Sequence, residues 1–403
     1  MNEAIQLSSR LKAAEPKIRA IHVSTYIPRE CGIATYTKDL TSAINILNPN
    51  FLADIIAIDD TTPGKRLPNY PWEVKYKIEQ ENKDSWLAAA EYINQSGTDV
   101  VNVQHEFGIC GGNMGEYCLD LLKAIKKPVV ITLHTVLPQP GQPMKKLIKK
   151  MAHEADAVAV MINAAAERLV ENYGLDPDKI VVIPHGVPDI PFGPTLPAKR
   201  RLNLPEVNII STFGLMSPGK GYEYAIEAMP QVIEKHPKTK LLIIGETHPV
   251  VKRKEGESYR RKLERLVKKH SLQNSVGFIN RYLSLEQLIE YLRATDIYIT
   301  PYIGLDQASS GTLSYAIGAG KACISTPYIY AKEVIGETRG LLVEPNNPQD
   351  LAEKIINLLD HPKKRNKIAH NAYMFGRAMT WPNVALRYLD LFELVKNDAK
   401  DNS

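Results

Sequence analysis

KIVVIPHGVPDIPFGPTLPAKRRLNLPEVNIISTFG, residues 179–214, decides the fold. It opens on a short apolar run, KIVVIPHG (179–186), of the kind that forms a strand. It crosses a stretch holding Pro188, Pro191, Pro194 and Pro197, where regular structure is expected to stop. It ends on a second apolar run, VNIISTFG (207–214). Upstream, IRAIHVSTYI (18–27), LADIIAID (52–59), TDVVNVQH (98–105), PVVITLHT (128–135) and AVAVMIN (157–163) also read as strands. Several lack polar alternation, as strands covered on both faces do. Helical stretches such as YTKDLTSAINIL (36–47) and NMGEYCLDLLKAI (113–125) lie between them. Downstream the rhythm resumes with LLIIGE (241–246), VGFIN (276–280), DIYITPY (296–302), KACIST (321–326) and GLLVEP (340–345). Alternating strands and helices build a parallel sheet coated with helices. The expectation is therefore two open α/β domains joined by a proline-rich hinge. Ligands would sit beyond the carboxyl ends of the strands, and the facing edges of the two sheets would form a cleft.

The bulk numbers agree with that size. A chain of 403 residues exceeds one ordinary core. With 44% hydrophobic and 24% charged residues the composition is that of a soluble globular protein. The net charge of +5 suits anionic small ligands and permits peripheral contact with an acidic membrane surface, but is too weak to argue for nucleic acid. The run KRKEGESYRRKLERLVKKH (252–270) reads as the solvated face of a helix. Cys31, Cys110, Cys118 and Cys323 show no metal-ligand spacing and fit reduced thiols in the cytoplasm. The polar opening MNEAIQLSSRLKAAEPK (1–17) lacks the apolar core of a secretion signal, and no apolar run approaches bilayer length.

Four segments carry candidate chemistry. In FGLMSPGKGYEYAIEAMP (213–230), Gly214 closes a strand and Lys220 stands between Gly219 and Gly221 at the mouth of a helix. Bare amides and a lone cation there suit a phosphate, although a solvent-facing lysine in a turn reads the same way. In LDQASSGTLSYAIGAGK (305–321), Asp306 precedes Ser309, Ser310, Gly311 and Thr312 at the start of an apolar helix. Several hydroxyls with a glycine exceed what plain N-capping needs and suit phosphate or sugar hydroxyls. PRECGIATYTKDL (28–40) places Arg29 and Gly32 in a strand-to-helix turn, which alone is ordinary. His134 ends the strand ITL, His105 ends the preceding strand, and His185 lies beside the hinge. Each is either a hydrogen-bonding group at the ligand edge or a satisfied structural histidine. DPD (176–178) falls in a turn away from the other candidates, so no metal site is expected from it. No P-loop and no local signature of a nucleophilic serine or cysteine occurs.

Taken together, the order and spacing of these segments resemble the retaining GT-B glycosyltransferases of family 4, the group 1 glycosyl transferases, over nearly the whole chain. PRECGIATY resembles the family's N-terminal Gly-rich loop, His134 its strand-end histidine, and IPHGV its pre-hinge segment. FGLMSPGKG is similar to the family's phosphate-binding turn, which puts Lys220 on the family lysine. LRATDIYITPYIGLDQASSGTLSYAIGAGKACISTP resembles the donor-binding block, and Glu333 falls on its trailing glutamate. The departures are specific. Leu215 stands where the family has an arginine, Asp306 replaces the first glutamate of its E-x7-E pair, and Ser314 replaces the second. An arginine's bidentate phosphate contact is not copied by a lysine, so Arg281 or Arg29 is expected to supply a second cation.

The resemblance implies a GT-B fold of two Rossmann-like, doubly wound parallel-sheet domains. It divides the chain into an acceptor-side domain (1–192), a linker (193–205), a nucleotide-sugar-binding domain (206–378) and a C-terminal helix (379–403) returning to the first domain. It implies a metal-independent hexosyltransferase of carbohydrate biosynthesis with no cofactor beyond the nucleotide-diphosphate sugar, GDP-mannose or UDP-glucose first. The acceptor would be a sugar or glycoconjugate. His134, Lys220 and Asp306 would be catalytic. Gly32, Gly214, Arg281, Ser309, Ser310, Gly311, Thr312 and Ser314 would hold the donor with them, with Arg29 and His105 on the acceptor side. The setting would be cytoplasmic, at most peripheral on the inner face of the membrane. The alternatives are a GT-B epimerase or phosphorylase, and a sugar-nucleotide-binding protein without transfer activity.

Overall fold

The computed structural model describes residues 18–60 and 69–401. The polar stretch at 1–17, read above for the lack of a secretion signal, lies outside the described residues. The chain forms two compact units, Met1–Gly186 with Trp381–Ser403, and Val187–Thr380. Among the described residues no helix is long and apolar enough to cross a membrane.

The first unit holds seven strands: β1 (Ala20–Ser24), β2 (Asp54–Asp59), β3 (Val74–Glu79), β4 (Val100–His105), β5 (Val129–Leu133), β6 (Ala157–Val160) and β7 (Ile180–Val182). All pair in parallel, in the order β3-β2-β1-β4-β5-β6-β7. Every residue of β1, β4, β5 and β6 is buried, which is why these strands are largely apolar, with polar residues such as His22, Asn102 and Gln104 buried among them. β3 was not anticipated. Its sequence VKYKIE alternates, only Ile78 is buried, and it forms an edge of the sheet, so it lacks the apolar signature of its neighbours.

The helix Trp381–Asp401 belongs to this unit. It packs on the helix Gly32–Leu47 through Tyr388, whose hydroxyl pairs with that of Tyr36 at 3.1 Å and with Thr132 Oγ1 at 3.1 Å. Tyr388 and Phe392 are fully buried, each contributing roughly 1.5–3 kcal/mol. Gly186 lies against the Trp381 ring, where a Cβ would come within 2.0 Å of it. Only glycine fits there.

The second unit holds β8 (Asn208–Phe213), β9 (Thr239–Ile244), β10 (Val276–Ile279), β11 (Ile297–Thr300), β12 (Ala322–Ser325) and β13 (Gly340–Leu342). They also run parallel, in the order β10-β9-β8-β11-β12-β13. One apolar core joins Ile210, Leu241 and Ile297 of the sheet to Ile226 and Met229 of the helix Tyr222–Lys235. The stretch 193–205, expected as a linker, is part of this unit and contains the helix Leu196–Arg201. Pro197 sits in its first turn, where the missing amide costs nothing. Lys199 is buried there and reaches Asp296 Oδ2 at 2.5 Å and the Val207 carbonyl at 2.8 Å. The ends of the unit lie side by side, with Val187 N donating to the Met379 carbonyl at 2.8 Å.

Candidate active site

Strand order reverses in each sheet, between β1 and β4 in the first and between β8 and β11 in the second. Diverging connections at such a reversal leave a crevice beyond the carboxyl ends of the strands, the usual ligand site of an open α/β sheet.

In the second unit β8 leads into Gly214 and the turn Pro218–Lys220, while β11 leads into the loop that opens the helix Gly311–Gly318. Ile303 N donates to the Gly219 carbonyl at 3.1 Å and ties the two loops together. Gly221, at φ +62°, lets the turn lie on the Pro301 carbonyl, only 2.1 Å from where a Cβ would stand. Next to it Lys220 Nζ lies over the Tyr302 ring, 3.9 Å from its centroid. That ring stacks on Tyr328 at 5.2 Å, and its hydroxyl pairs with Thr312 Oγ1 at 2.8 Å. Gly214 approaches Thr312 from the other loop, within 3.3 Å of its Cγ2 for a Cβ at that position. Lys220, Gly214, Ser310, Gly311 and Thr312 thus share one edge of one unit.

Ser310 is buried and caps the helix, accepting from Leu313 N at 3.4 Å. Ser314 N donates to the Ser310 carbonyl as the first intrahelical bond. The amides of Gly311 and Thr312 lie ahead of that bond at the positive end of the helix dipole, where an anion is stabilised. Ser309 is half-buried beside them and Asp306 is exposed. Arg281 is exposed just beyond β10, the edge strand, two strands from β8, or about 10 Å at the usual strand spacing. Ser314 is placed differently from the ribose contact expected of it. It is fully buried, donates to the Ser310 carbonyl at 2.7 Å and meets Tyr330 Oη at 2.5 Å. A helical serine readily bonds back to the carbonyl four residues earlier, and here the tyrosine takes up the rest of the hydroxyl.

In the first unit the loop after β1 passes through a cis Ile27–Pro28 bond to Arg29 and Gly32. Cys31 caps the helix that follows, its thiol accepting from Ala34 N. Arg29 is already engaged within this unit, donating to the Ile58 carbonyl at 3.2 Å and to Gln80 Oε1 at 3.0 Å. Gly32 is exposed at the start of the helix. His134 is buried, with Nε2 2.8 Å from Gln104 Oε1 and its ring edge-on to Tyr36. The Gln104 amide nitrogen donates to Asn102 Oδ1, so Gln104 offers its oxygen to His134. The histidine must therefore carry its proton on Nε2 and leave Nδ1 as an acceptor. Burial, reinforced by His185 and His105, lowers its pKa to about 3, so it is neutral. His105 is fully buried, and neither ring nitrogen has a hydrogen-bond partner among the described residues. His185 Nδ1 pairs with the Gly186 carbonyl oxygen at 2.7 Å.

Glu106 and Thr135, which the sequence reading passed over, stand beside these histidines. Thr135 Oγ1 donates to Glu106 Oε2 at 2.6 Å. Their signal is positional, each being one step past a group already singled out at a strand end. Asp176 of DPD caps its own turn by accepting from Asp178 N. Among the described residues no three His, Cys, Asp or Glu come together as metal ligands.

Residues 197–375 match the family described as glycosyl transferases group 1, and residues 58–189 match glycosyltransferase family 4. The chain belongs to the group 1, family 4 glycosyltransferases. The first match falls within the second unit, and the second covers the first unit from residue 58 and ends three residues into the second. This family member is 26% identical to the D-inositol 3-phosphate glycosyltransferase of Corynebacterium glutamicum, over 63% of this chain and 60% of that protein. It is 28% identical to the GDP-mannose-dependent monoacylated alpha-(1-6)-phosphatidylinositol monomannoside mannosyltransferase of the same species, over 55% of this chain and 57% of that protein. The alignments thus span less than two thirds of either relative's length. Its fold is that of a solved glycosyltransferase from Rickettsia africae, with a TM-score of 0.73 at 21% identity over 94% of this chain and 99% of that one.

Proposed function

We propose that this chain transfers a hexose from a nucleoside-diphosphate sugar to an acceptor hydroxyl, retaining the anomeric configuration and using no metal ion. The observation that supports the reading is that Lys220 lies over the Tyr302 ring, whose hydroxyl pairs with Thr312 in the first turn of the helix Gly311–Gly318, at the strand-order reversal of the second unit.

The bond from the anomeric carbon to the β-phosphate oxygen breaks, and negative charge grows on the leaving diphosphate. The Lys220 cation, the amides of Gly311 and Thr312 and the dipole of the helix Gly311–Gly318 point at that charge and stabilise it without reorganising. Arg281 is the exposed cation that adds to them. It replaces the arginine absent at Leu215, since Arg29 is spent on Ile58 and Gln80. The acceptor oxygen bonds to the anomeric carbon on the face the diphosphate leaves, and the acceptor proton passes to the departing phosphate oxygen. His134 accepts a hydrogen bond from a hydroxyl of the donor sugar at Nδ1 and helps position it, and Asp306 contacts the donor sugar. GDP-mannose and UDP-glucose are the donors to try first. The first of these also appears in the name of a Corynebacterium relative.

A thermal-shift panel with GDP, UDP and ADP, each with and without magnesium, tests the reading. One base should raise the melting temperature through mass action, equally with and without magnesium, and Lys220→Ala should reduce the shift at the same ligand concentration. No shift with any nucleotide, or a shift only with magnesium, refutes it. A sugar-nucleotide binder without transfer activity is the second reading, favoured by Leu215 and by a Ser314 hydroxyl turned inward. Turnover of donor in the presence of acceptor separates the two.

A further inference from the structure

We propose that Glu106 orients the acceptor by accepting hydrogen bonds from its hydroxyl groups, and that its charge confines this chain to uncharged, polyhydroxylated acceptors. The proposal rests on the transferase reading above and names the acceptor class for the first unit.

Glu106 is the first residue beyond β4, one of the two strands that flank the order reversal of the seven-stranded sheet. Its carboxylate is held rather than free. Oε2 accepts from Thr135 Oγ1 at 2.6 Å, and Oε1 accepts from Phe107 N at 3.0 Å. Thr135 follows the end of β5, so the ends of two adjacent strands fix the group. A carboxylate offers about four acceptor directions. Two are used internally, which leaves one on each oxygen for a ligand. The residue is half-buried. Two vicinal hydroxyls of a sugar or cyclitol match a pair of such oxygens.

Among the described residues no cation pairs with Glu106. Arg29, on the same edge, directs its guanidinium to Ile58 and Gln80 instead. The strand ends on that side carry like charge, Asp59 closing β2 and Glu79 closing β3. Burial raises the pKa of Glu106 against the lowering effect of its two hydrogen bonds. A desolvated carboxylate without a counter-ion is costly to keep, and such groups concentrate at functional sites. A phosphate brought to the same oxygens would meet a fixed negative charge in poorly screened surroundings. It would lose on the order of 100-fold in affinity against a neutral hydroxylated ligand.

The test uses the full chain with GDP-mannose and UDP-glucose. The acceptors are glucose, mannose and myo-inositol, each beside its monophosphate. The wild type should favour the neutral member of a pair by about 100-fold in kcat/KM. Glu106→Gln, which keeps the shape and can still satisfy Thr135 and Phe107, should lower kcat/KM for the neutral acceptor and narrow the ratio by about 10-fold. A wild type that prefers the phosphorylated acceptors, or a ratio unchanged in Glu106→Gln, overturns the proposal. If no acceptor is turned over, melting decides. Removing an uncompensated charge should raise the melting temperature by about 2–4 °C, whereas a purely structural carboxylate gives a variant that melts lower and overturns the proposal. Failure of the transferase reading is seen separately, as absence of nucleotide binding.

Discussion

Gly219 and Gly221 flank Lys220 and are indistinguishable in sequence, yet alanine should act oppositely at the two. At Gly219 an added Cβ meets nothing within 4 Å. At Gly221 it would stand 2.1 Å from the Pro301 carbonyl oxygen, where real Cβ atoms stay beyond 3.0 Å. The loop must open by roughly 0.9 Å, the difference between these two distances. Holding alanine at φ +62° costs about 1 kcal/mol, and overpacking adds about 1–3 kcal/mol. For a unit of this size a total of about 2–4 kcal/mol lowers its melting temperature by roughly 5–15 °C. The displaced Pro301 precedes Tyr302, the ring on which Lys220 rests. Turnover should therefore fall by a further factor on the order of 10–100. Differential scanning calorimetry of both variants, with steady-state kinetics on whatever remains folded, reads both effects. The reasoning fails if Gly221→Ala melts within 2 °C of wild type, roughly below the 1 kcal/mol backbone term alone. It also fails if Gly219→Ala is equally damaged.

Further outcomes follow from the same geometry. Lys220→Ala should weaken nucleoside-diphosphate binding about 10–100-fold by calorimetric titration, the usual worth of a hydrogen bond to a charged group. The melting point of the unliganded protein should barely move, since the lysine's interaction with the Tyr302 ring contributes about 1 kcal/mol at most. Ser310→Ala removes a helix cap and a partner of the Tyr328 hydroxyl, and should destabilise the second unit by about 1–2 kcal/mol in denaturant titration. The buried His22, His105 and His185, with pKa values lowered by burial to about 4, and His134, at about 3, bind fewer protons folded than unfolded. Stability of the first unit is therefore held above pH 6.5 and lost as pH falls from there toward 4, each histidine contributing up to about 1.4 kcal/mol per pH unit. Melting curves at pH 7, 6 and 5 should show the loss, and His105→Leu should make it shallower.

Most of the sheet architecture was readable because burial on both faces leaves an apolar run with no polar interruption. β6 shows this most plainly, and β5 and β12 nearly so, whereas β1 and β4 bury His22, Asn102 and Gln104 among their apolar residues. VKYKIE was missed for the converse reason, since an edge strand with one solvated face has little apolar content. The proline-rich stretch at 193–205 misled differently. Its composition is that of a linker, but Lys199 finds a buried partner in Asp296, 97 positions away, and no local pattern announces that pair. The turn around Lys220 and the Ser/Gly loop were legible as helix starts at strand ends. The direction in which a hydroxyl points was not. Ser310 and Ser314 lie one helical turn apart in a polar-looking motif, yet one caps the helix and the other bonds inward to Tyr330. His105 ends β4 and is fully buried, whereas Glu106, the next residue, is only half-buried.

The helix Trp381–Asp401 completes the first unit although the whole of the second unit precedes it in the chain. Val187–Thr380 can close its own core, and its adjoining ends are already stapled by Val187 and Met379. The sheet that begins at Ala20 must wait, with Tyr36 lacking Tyr388 and Trp381 as neighbours, until that helix has been made. Order of synthesis and order of completion are thus reversed, and the half made first is the one left unfinished longest.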